Sequence, residues 1–580
     1  MIVKVQQASA LGCFLLALML VLGRTALGSP PLQIVTASYF GTAEDGDLQG
    51  ACGAPDGTIY MVGNTGARVK NLPGGLRSTV FGIDVIEPKC GYGFVAHLTA
   101  DGKQILDYAE FAKGTVLLTT VQVNDNGVYL GGYASQALES LLKDRPGLIR
   151  QWPLVAEMRQ IEEDRLAGKK DPISDRPGLG RYGAPCVLRL SSTLGKFLSG
   201  TYLEGWQQVW DKNRVAKLGQ HMNGPYREFF WQPTHLALLK SGDVVVGHDG
   251  GYFRLPTPQE KAQAGGDDKL LHQLTFYDVC DWVSRLSPDL KERRWKTPIY
   301  TPPTDVATAK RLKNGWSLPH YSNPRTHRMR LDKDERIYLC GWSASYTSAE
   351  PWWSPYLWRL DPSDGRVTWK AYEYDPMSGG DNRMGGTVAD TAVATLALED
   401  DNNLLTSLFA DGGNSVLGWS PRADGSRFEG VVRGKEFGVK LVHWWGQIHR
   451  VDVATRQGLA GARVGPWGWT VDLASLPGKN VLTVGRYNDG FEWTADAWHK
   501  DSPVTNPNAF LRCYSSDLNL LFSTSIPGLV PFELSRIGPD RYILVGRGEQ
   551  GVSPTKDALI GKSPGKTDGY LMILDWKGNH

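Results

Sequence analysis

A short β-hairpin signature recurs seven times along the chain. It reads as a turn, an apolar strand ending in Gly, a gap, a second apolar strand ending in Arg-Leu or its like, and another turn with Gly. Clear copies are Asp56-Gly-Thr-Ile-Tyr-Met-Val-Gly63 with Gly93-Phe-Val-Ala-His-Leu-Thr-Ala-Asp-Gly102, and Asn126-Gly-Val-Tyr-Leu-Gly131 with Pro185-Cys-Val-Leu-Arg-Leu190. A repeated unit that cannot bury its own faces must stack on its neighbours, so the repeat constrains the fold before any other feature does.

The first strand recurs at Asp243–Gly247, Ile337–Gly341, Asn480–Gly485 and Arg541–Gly546, and weakly at Asn403–Leu408, where the Gly is missing. The second recurs at Trp282–Leu286, Tyr356–Leu360, Ser415–Trp419, Phe510–Arg512 and Tyr570–Leu574. These runs are β-branched and aromatic, bounded by Asp, Asn, Ser and Gly, which is the composition of strands and turns. A third strand follows most second ones, as in Val367-Thr-Trp-Lys-Ala-Tyr372, and a fourth precedes the first, as in Thr119-Thr-Val-Gln-Val123. Four antiparallel strands repeated radially make propeller blades. The last copy stops after its second strand, and Leu32-Gln-Ile-Val-Thr-Ala-Ser-Tyr-Phe-Gly41 resembles the strand it lacks. The sequence therefore predicts an all-β, seven-bladed β-propeller whose ring is closed by its N-terminal strand, which removes exposed sheet edges.

Tyr39-Phe-Gly41, the hairpin Asp56 to Gly63 and Val95-Ala-His-Leu98 resemble the SBBP-type seven-bladed propeller repeat of secreted bacterial proteins. The resemblance extends over most of 32–580. It implies a secreted propeller engaged in binding, with no catalytic residues common to the family. The chain departs from that pattern in its longer blades and its degenerate fifth copy.

The N-terminus fits secretion. Lys4, an apolar run from Leu11 to Leu22 and Ala26-Leu-Gly28 read as a signal peptide over 1–28, leaving one domain over 29–580 in a secreted or periplasmic compartment. The run is too short to span a bilayer comfortably, and no later run is long enough for a transmembrane helix. Beyond residue 28 the chain holds 61 basic and 61 acidic residues. That balance argues against nucleic acid as a partner, because phosphate contact needs a basic surface. Six cysteines remain after cleavage, none in a C-x-x-C pair. Cys52 and Cys90 share a repeat, and an oxidising compartment permits a bridge between them; burial as small apolar groups is the other reading.

The spacing between Gly anchors is uneven. The surplus falls near 134–184, 205–233, 250–279, 294–325 and 429–468, where insertions in closed repeats form rim loops. In the first of these, Pro153, Leu154, Met158, Ile161 and Gly168 suit a short helix packed on the rim. The insertions carry Trp206, Trp210, Trp231, Trp316, Trp444, Trp445 and Trp467, whose faces suit sugar rings and interfaces.

Two adjacent repeats open their presumed inner strands with Thr234-His235 and Thr326-His327. The sixth has Trp467-Gly-Trp469 there. His235, His327, Trp467 and Trp469 are thus candidate ligand residues at one mouth of the channel. Two histidines fall short of a zinc set, so no metal is assigned. The bland alternative is that each His bonds backbone at a strand entry. The Asp-rich turns Glu44-Asp-Gly-Asp47 and Asn124-Asp-Asn-Gly127 lack the Glu of a calcium hand. Leu360-Asp-Pro-Ser-Asp-Gly-Arg-Val-Thr-Trp369 resembles, in a single copy, the tryptophan-docking repeat of quinone-cofactor dehydrogenases. Gly561-Lys-Ser-Pro-Gly565 has the letters of a nucleophile elbow, but Pro564 and Gly565 leave no helix to follow it. No motif names a cofactor. The favoured reading is a binding or scaffold protein for a glycan, an envelope component or another protein. The alternative is a propeller enzyme, quinoprotein-like or glycan-cleaving, built around the two histidines.

Overall fold

The computed structural model describes residues 30–578, apart from 83–90, 152–181, 209–233, most of 250–280, 300–321, 373–390, 435–443, 501–507 and shorter loop stretches. Seven antiparallel sheets follow one another as blades of a ring. Blade 1 comprises Gly46–Gly53, Ile59–Thr65, Tyr92–Leu98 and Ile105–Phe111; blade 2, Val116–Asn124, Gly127–Ala134, Tyr182–Leu190 and Phe197–Tyr202. Blade 3 comprises His235–Leu238, Val244–Asp249, Asp281–Leu286 and Arg293–Ile299; blade 4, Ser322–Leu331, Ile337–Tyr346, Pro351–Leu360 and Val367–Ala371. Blade 5 comprises Thr391–Leu398, Asn403–Asp411, Trp444–Asp452 and Gly458–Pro466; blade 6, Gly468–Leu476, Asn480–Tyr487, Asn508–Tyr514 and Leu520–Pro527. Blade 7 takes Leu529–Arg536, Arg541–Glu549 and Thr567–Trp576 from the C-terminal end. Its outermost strand is the N-terminal Leu32–Phe40, paired from Leu32 opposite Trp576 to Phe40 opposite Gly569.

The core lies between blades, as seven wedges of apolar side chains. One wedge joins Leu188 and Val121 of blade 2 to Val62 and Val95 of blade 1. The wedge that shuts the ring joins Ile543, Val545, Leu571 and Phe40 of blade 7 to Leu48, Met61 and Phe94 of blade 1. Alternation along each strand sends successive side chains to opposite blade faces, so both faces are apolar. The Gly anchors mark where backbone approaches backbone: a Cβ on Gly485 would lie 2.0 Å from the Trp469 carbonyl oxygen. Opposite those anchors most inner strands bulge by one residue, as between Leu118 and Thr120 or Thr470 and Asp472.

The fifth blade departs from expectation. Ser415–Trp419 is not a strand; Val416–Gly418 is a 3-10 turn. The third strand is Trp444–Asp452, so 429–468 is mostly blade and Trp445 is buried rather than displayed. The signal was present in Ile448-His-Arg450-Val451, whose Arg-Val stands where other copies read Arg-Leu. Likewise 294–325 is trimmed at both ends by strands Arg293–Ile299 and Ser322–Leu331. Between the blade 2 strands that end at Ala134 and begin at Tyr182, the described residues show a 3-10 turn and a single helical turn, Glu139–Leu142; the expected helix at 153–168 lies outside the described residues. So do the expected signal peptide and Trp206, Trp210, Trp231, Trp316 and Trp467. Cys52 is a buried free thiol among the apolar side chains between blades 1 and 2, so the bridge to Cys90 is not formed. Burial pushes its thiol well above the usual range.

Antiparallel pairing sorts the connections by face. Links from first to second strand in every blade, and from third to fourth in blades 1 to 6, are tight turns at one end of the blades; in blade 7 the third and fourth strands meet by pairing alone. Links from second to third strand, and from blade to blade, leave from the other end. All the long insertions depart from that second face.

Candidate functional site at the channel mouth

The two histidines stand where the inner strands enter from the insertion-bearing face. His235 Nε2 donates to the Thr326 carbonyl of blade 4 at 3.2 Å, and His327 Nδ1 donates to the Val393 carbonyl of blade 5 at 3.2 Å. The same staple ties earlier neighbours. Asn64 of blade 1 donates to the Leu118 carbonyl at 3.0 Å, and the Thr119 hydroxyl of blade 2 to the Thr234 carbonyl at 3.4 Å. Four successive interfaces are thus sewn by a side chain of one blade on an inner-strand carbonyl of the next. Asp281 adds a further tie by accepting the Thr326 N–H at 2.6 Å. Both imidazoles are buried. Burial, then the nearby Arg328 guanidinium, pushes His235 down to about 3, so it is neutral at ordinary pH. Each histidine spends a ring N–H on a blade carbonyl, as the bland reading of strand-entry histidines anticipates.

Beyond blade 5 the ring is held differently. The Asp472 carboxylate of blade 6 is fully buried. It accepts from the Thr395 hydroxyl of blade 5 at 2.7 Å and from the Leu534 N–H of blade 7 at 3.0 Å. Arg328 and Arg330 of blade 4 reach it at 3.1 and 3.3 Å. Arg328 also donates to the Phe532 carbonyl of blade 7 at 2.7 Å. Blades 4 and 7 are three interfaces apart, so this side chain crosses the channel. Glu533 joins the cluster and is bonded by the Ser535 hydroxyl at 2.7 Å. Its carboxyl is pushed up by burial, opposed by Arg328 and Arg330. This cluster has no local sequence motif, because its charges sit one or two per blade; only their inner-strand register brings them together.

Trp469 packs with Trp342, Ala392 and Phe409, and the Arg486 guanidinium lies 5.6 Å from its ring centroid. The structure thus brings His235, His327, Arg328 and Trp469 to one end of the ring, mostly below the surface. Among the described residues no three His, Cys, Asp or Glu side chains gather as a metal set. Ser563 lies in a loop, its hydroxyl bonded to the Gly565 carbonyl and to Asp568, so it is no nucleophile elbow.

The single tryptophan-docking stretch has a structural counterpart in blade 3 that lacks its Asp-Gly. Trp369 donates to the Val453 carbonyl of the next blade at 2.7 Å, and Trp295 donates to the Pro362 carbonyl of the next blade at 2.9 Å. Gly365 lies under the Trp295 ring, where a Cβ would come within 2.5 Å. Leu286 to Trp295 has the same spacing as Leu360 to Trp369. Both tryptophans serve blade packing.

Fold and site together define a seven-bladed β-propeller with a plugged centre and one elaborated face. No protein-family model matches the chain, and no curated protein does. Among solved structures it is similar to a quinohemoprotein alcohol dehydrogenase from Comamonas testosteroni, at 12% identity and a TM-score of 0.37 over 95% of this chain and 77% of that one. It is similar to the Dos1 propeller at 7% identity and 0.34, over 94% and 96% of the two chains. BamB from Moraxella catarrhalis follows at 9% and 0.29, over 86% and 96%. At these identities the likeness concerns the fold alone.

Proposed function

We propose that this protein is a secreted or periplasmic binding propeller of the SBBP-repeat kind. Its ligand, a glycan, an envelope component or another protein, is held over the channel mouth on the insertion-bearing face. His235, His327, Trp467 and Trp469 surround that mouth in this reading. One observation carries the proposal: every long connection leaves from the same face, whereas the opposite face has only tight turns. Loops on a rigid scaffold are where binding residues concentrate. Arg328 and Asp472 close the channel beneath, so the ligand rests on the mouth rather than threading the ring.

The test is a glycan and envelope-fraction binding screen on the mature chain, repeated after shortening 209–233, 250–279 and 300–321 one at a time to Gly-Ser linkers. At least one shortening should abolish binding while the melting temperature holds. Binding that survives all three, yet is lost when tight-turn residues such as Lys103 or Arg366 are changed, would place the ligand on the other face.

A further inference from the structure

The outer edges of the blades are not all finished alike. In blades 2, 6 and 7 the link from second to third strand returns along the blade's own edge as irregular chain. The Pro146 and Ile149 carbonyls accept from Gly200 and Tyr202, Thr494 N–H donates to Ser523 and Ser525 N–H to His499, and Thr555 N–H donates to Ala37 and Tyr39 N–H to Ile560. Irregular chain offers no ladder to a further strand. In blades 1 and 5 the same link returns as a strand, Thr79–Phe81 and Val431–Arg433. Each lies parallel to the fourth strand and pairs with no further strand among the described residues. A strand laid on an edge shields it but leaves an edge of its own. The exposed large apolar side chains among the described residues all fall at these two places: Val80 and Leu106 in blade 1, Val431 and Leu459 in blade 5.

The blade 5 edge is the more open of the two, with Val431 60% exposed. Val431 and Arg433 are two residues apart and project from one face of their strand. Val432 projects from the other, over Gly461, where a Cβ would meet it at 3.1 Å. The surroundings are positively charged. Asp424 and Glu429, the acids of the segment leading into the strand, are both held by Arg422. The exposed Arg427 and Arg433 pair with no carboxylate among the described residues. Arg463 donates to the Gly434 carbonyl at 3.1 Å, just past the end of the strand.

We propose that the free edge of Val431–Arg433 is a docking site for an extended acidic segment of a partner protein, which adds to blade 5 as a further strand. Main-chain hydrogen bonds along the edge supply affinity, and alternate side chains supply specificity. Carboxylates of the incoming segment meet Arg427 and Arg433, and its apolar residues cover Val431 and Leu459. A second copy of this chain fits less well. The strand is only 3 residues long, and two such edges side by side would set arginine against arginine. The site stands on the outer rim, apart from the channel mouth.

The test measures fluorescence anisotropy of a labelled peptide of alternating Glu and Val on the full chain, with the alternating Lys and Val peptide as its counterpart. The acidic peptide should bind at least about tenfold tighter, because one charge pattern complements the arginines and the other repels them. Arg427→Glu/Arg433→Glu and Val431→Asp should each weaken it by about tenfold while the melting temperature holds, since these side chains are exposed. Methylating alternate backbone nitrogens of the peptide removes donors without changing charge, and in one of its two phases it should abolish binding. Amide exchange over 430–434 should slow when the unmethylated peptide is added. No binding up to millimolar peptide overturns the proposal, as do equal binding of the acidic and basic peptides, binding that both methylated forms retain, and binding indifferent to the variants. A dimer in sedimentation that Val431→Asp dissolves also overturns it, by giving the edge to a second copy.

Discussion

Asp472 is the residue on which most of the ring converges. It is buried, bonded by blades 5 and 7 and paired with two arginines of blade 4. Removing one member of a buried pair leaves the others uncompensated, at about 3–5 kcal/mol. Asp472→Ala should therefore lower stability by that amount in urea unfolding, far more than removal of an exposed ion pair. Replacing Arg328 and Arg330 by Met in the same background should recover part of the loss, since the unpaired charges go with them. Equal losses for the single and triple variants would mean that the carboxylate acts through its backbone bonds alone. The buried histidines illustrate the same scale from the other side. His235 and His327 were legible in the sequence as a matched pair at inner-strand entries, but their task was not. A Thr, an Asn and two histidines perform one function across four interfaces, and only three-dimensional register reveals them as equivalents.

At the scale of the blade, the repeat explains more than strand order. In blades 2 and 3 its Arg-Leu ending is a latch: Arg189 and Arg285 donate to the Pro288 and Pro362 carbonyls in the outer-hairpin turn of the next blade, and Arg285 also holds Asp243 at its own first turn. Tyr60, Tyr129 and Trp369 use carbonyls of the same turns, those of Ser192, Pro288 and Val453. Arg285→Ala should destabilise the protein by about 1–3 kcal/mol, the range for a charged hydrogen bond lost while its partner Asp243 stays buried. Exchange protection should fall at 239–243 and 361–366 and hold at the inner strands; a uniform fall would refute a latch. The outer edges of blades 1, 2, 4 and 5 are covered too, by two devices. Thr79–Phe81 and Val431–Arg433 lie parallel to the fourth strands of blades 1 and 5. Pro146 and Ile149 carbonyls take the Gly200 and Tyr202 N–H groups in blade 2, and the Pro421 carbonyl of blade 5 takes that of Tyr372 in blade 4. Such coverage prevents edge-to-edge pairing. The strands themselves were readable because each is short, alternating and punctuated by turns. The covers were not, because they are main-chain contacts of one to three residues made by segments without a pattern. The third strand of blade 5 was missed for a related reason: a long insertion displaced it from the anchor that should have announced it.

For the whole molecule, the decisive element is the N-terminal strand. It completes blade 7, and Leu32, Ala37, Tyr39 and Phe40 are buried in the wedges on either side of that blade. A ring so closed ties its first and last described strands directly, which makes the seven wedges one cooperative unit rather than an open stack. A covalent tie across this pair should then stabilise the whole ring. Ala37 stands opposite Met572. In an Ala37→Cys/Met572→Cys variant the two thiols should oxidise together, since directly opposed strand residues lie about 4.5–5.5 Å apart at Cα, within disulfide reach. The loop closed by that bridge runs from Ala37 to Met572, nearly all of the described chain. Chain-entropy reasoning gives roughly 5 kcal/mol for a loop longer than about 100 residues. The oxidised protein should melt higher than the reduced one in a single sharp transition, and a reductant should reverse the gain. If the strand were instead a loosely docked terminus, oxidation would raise protection only within residues 32–40 and leave the main transition where it was.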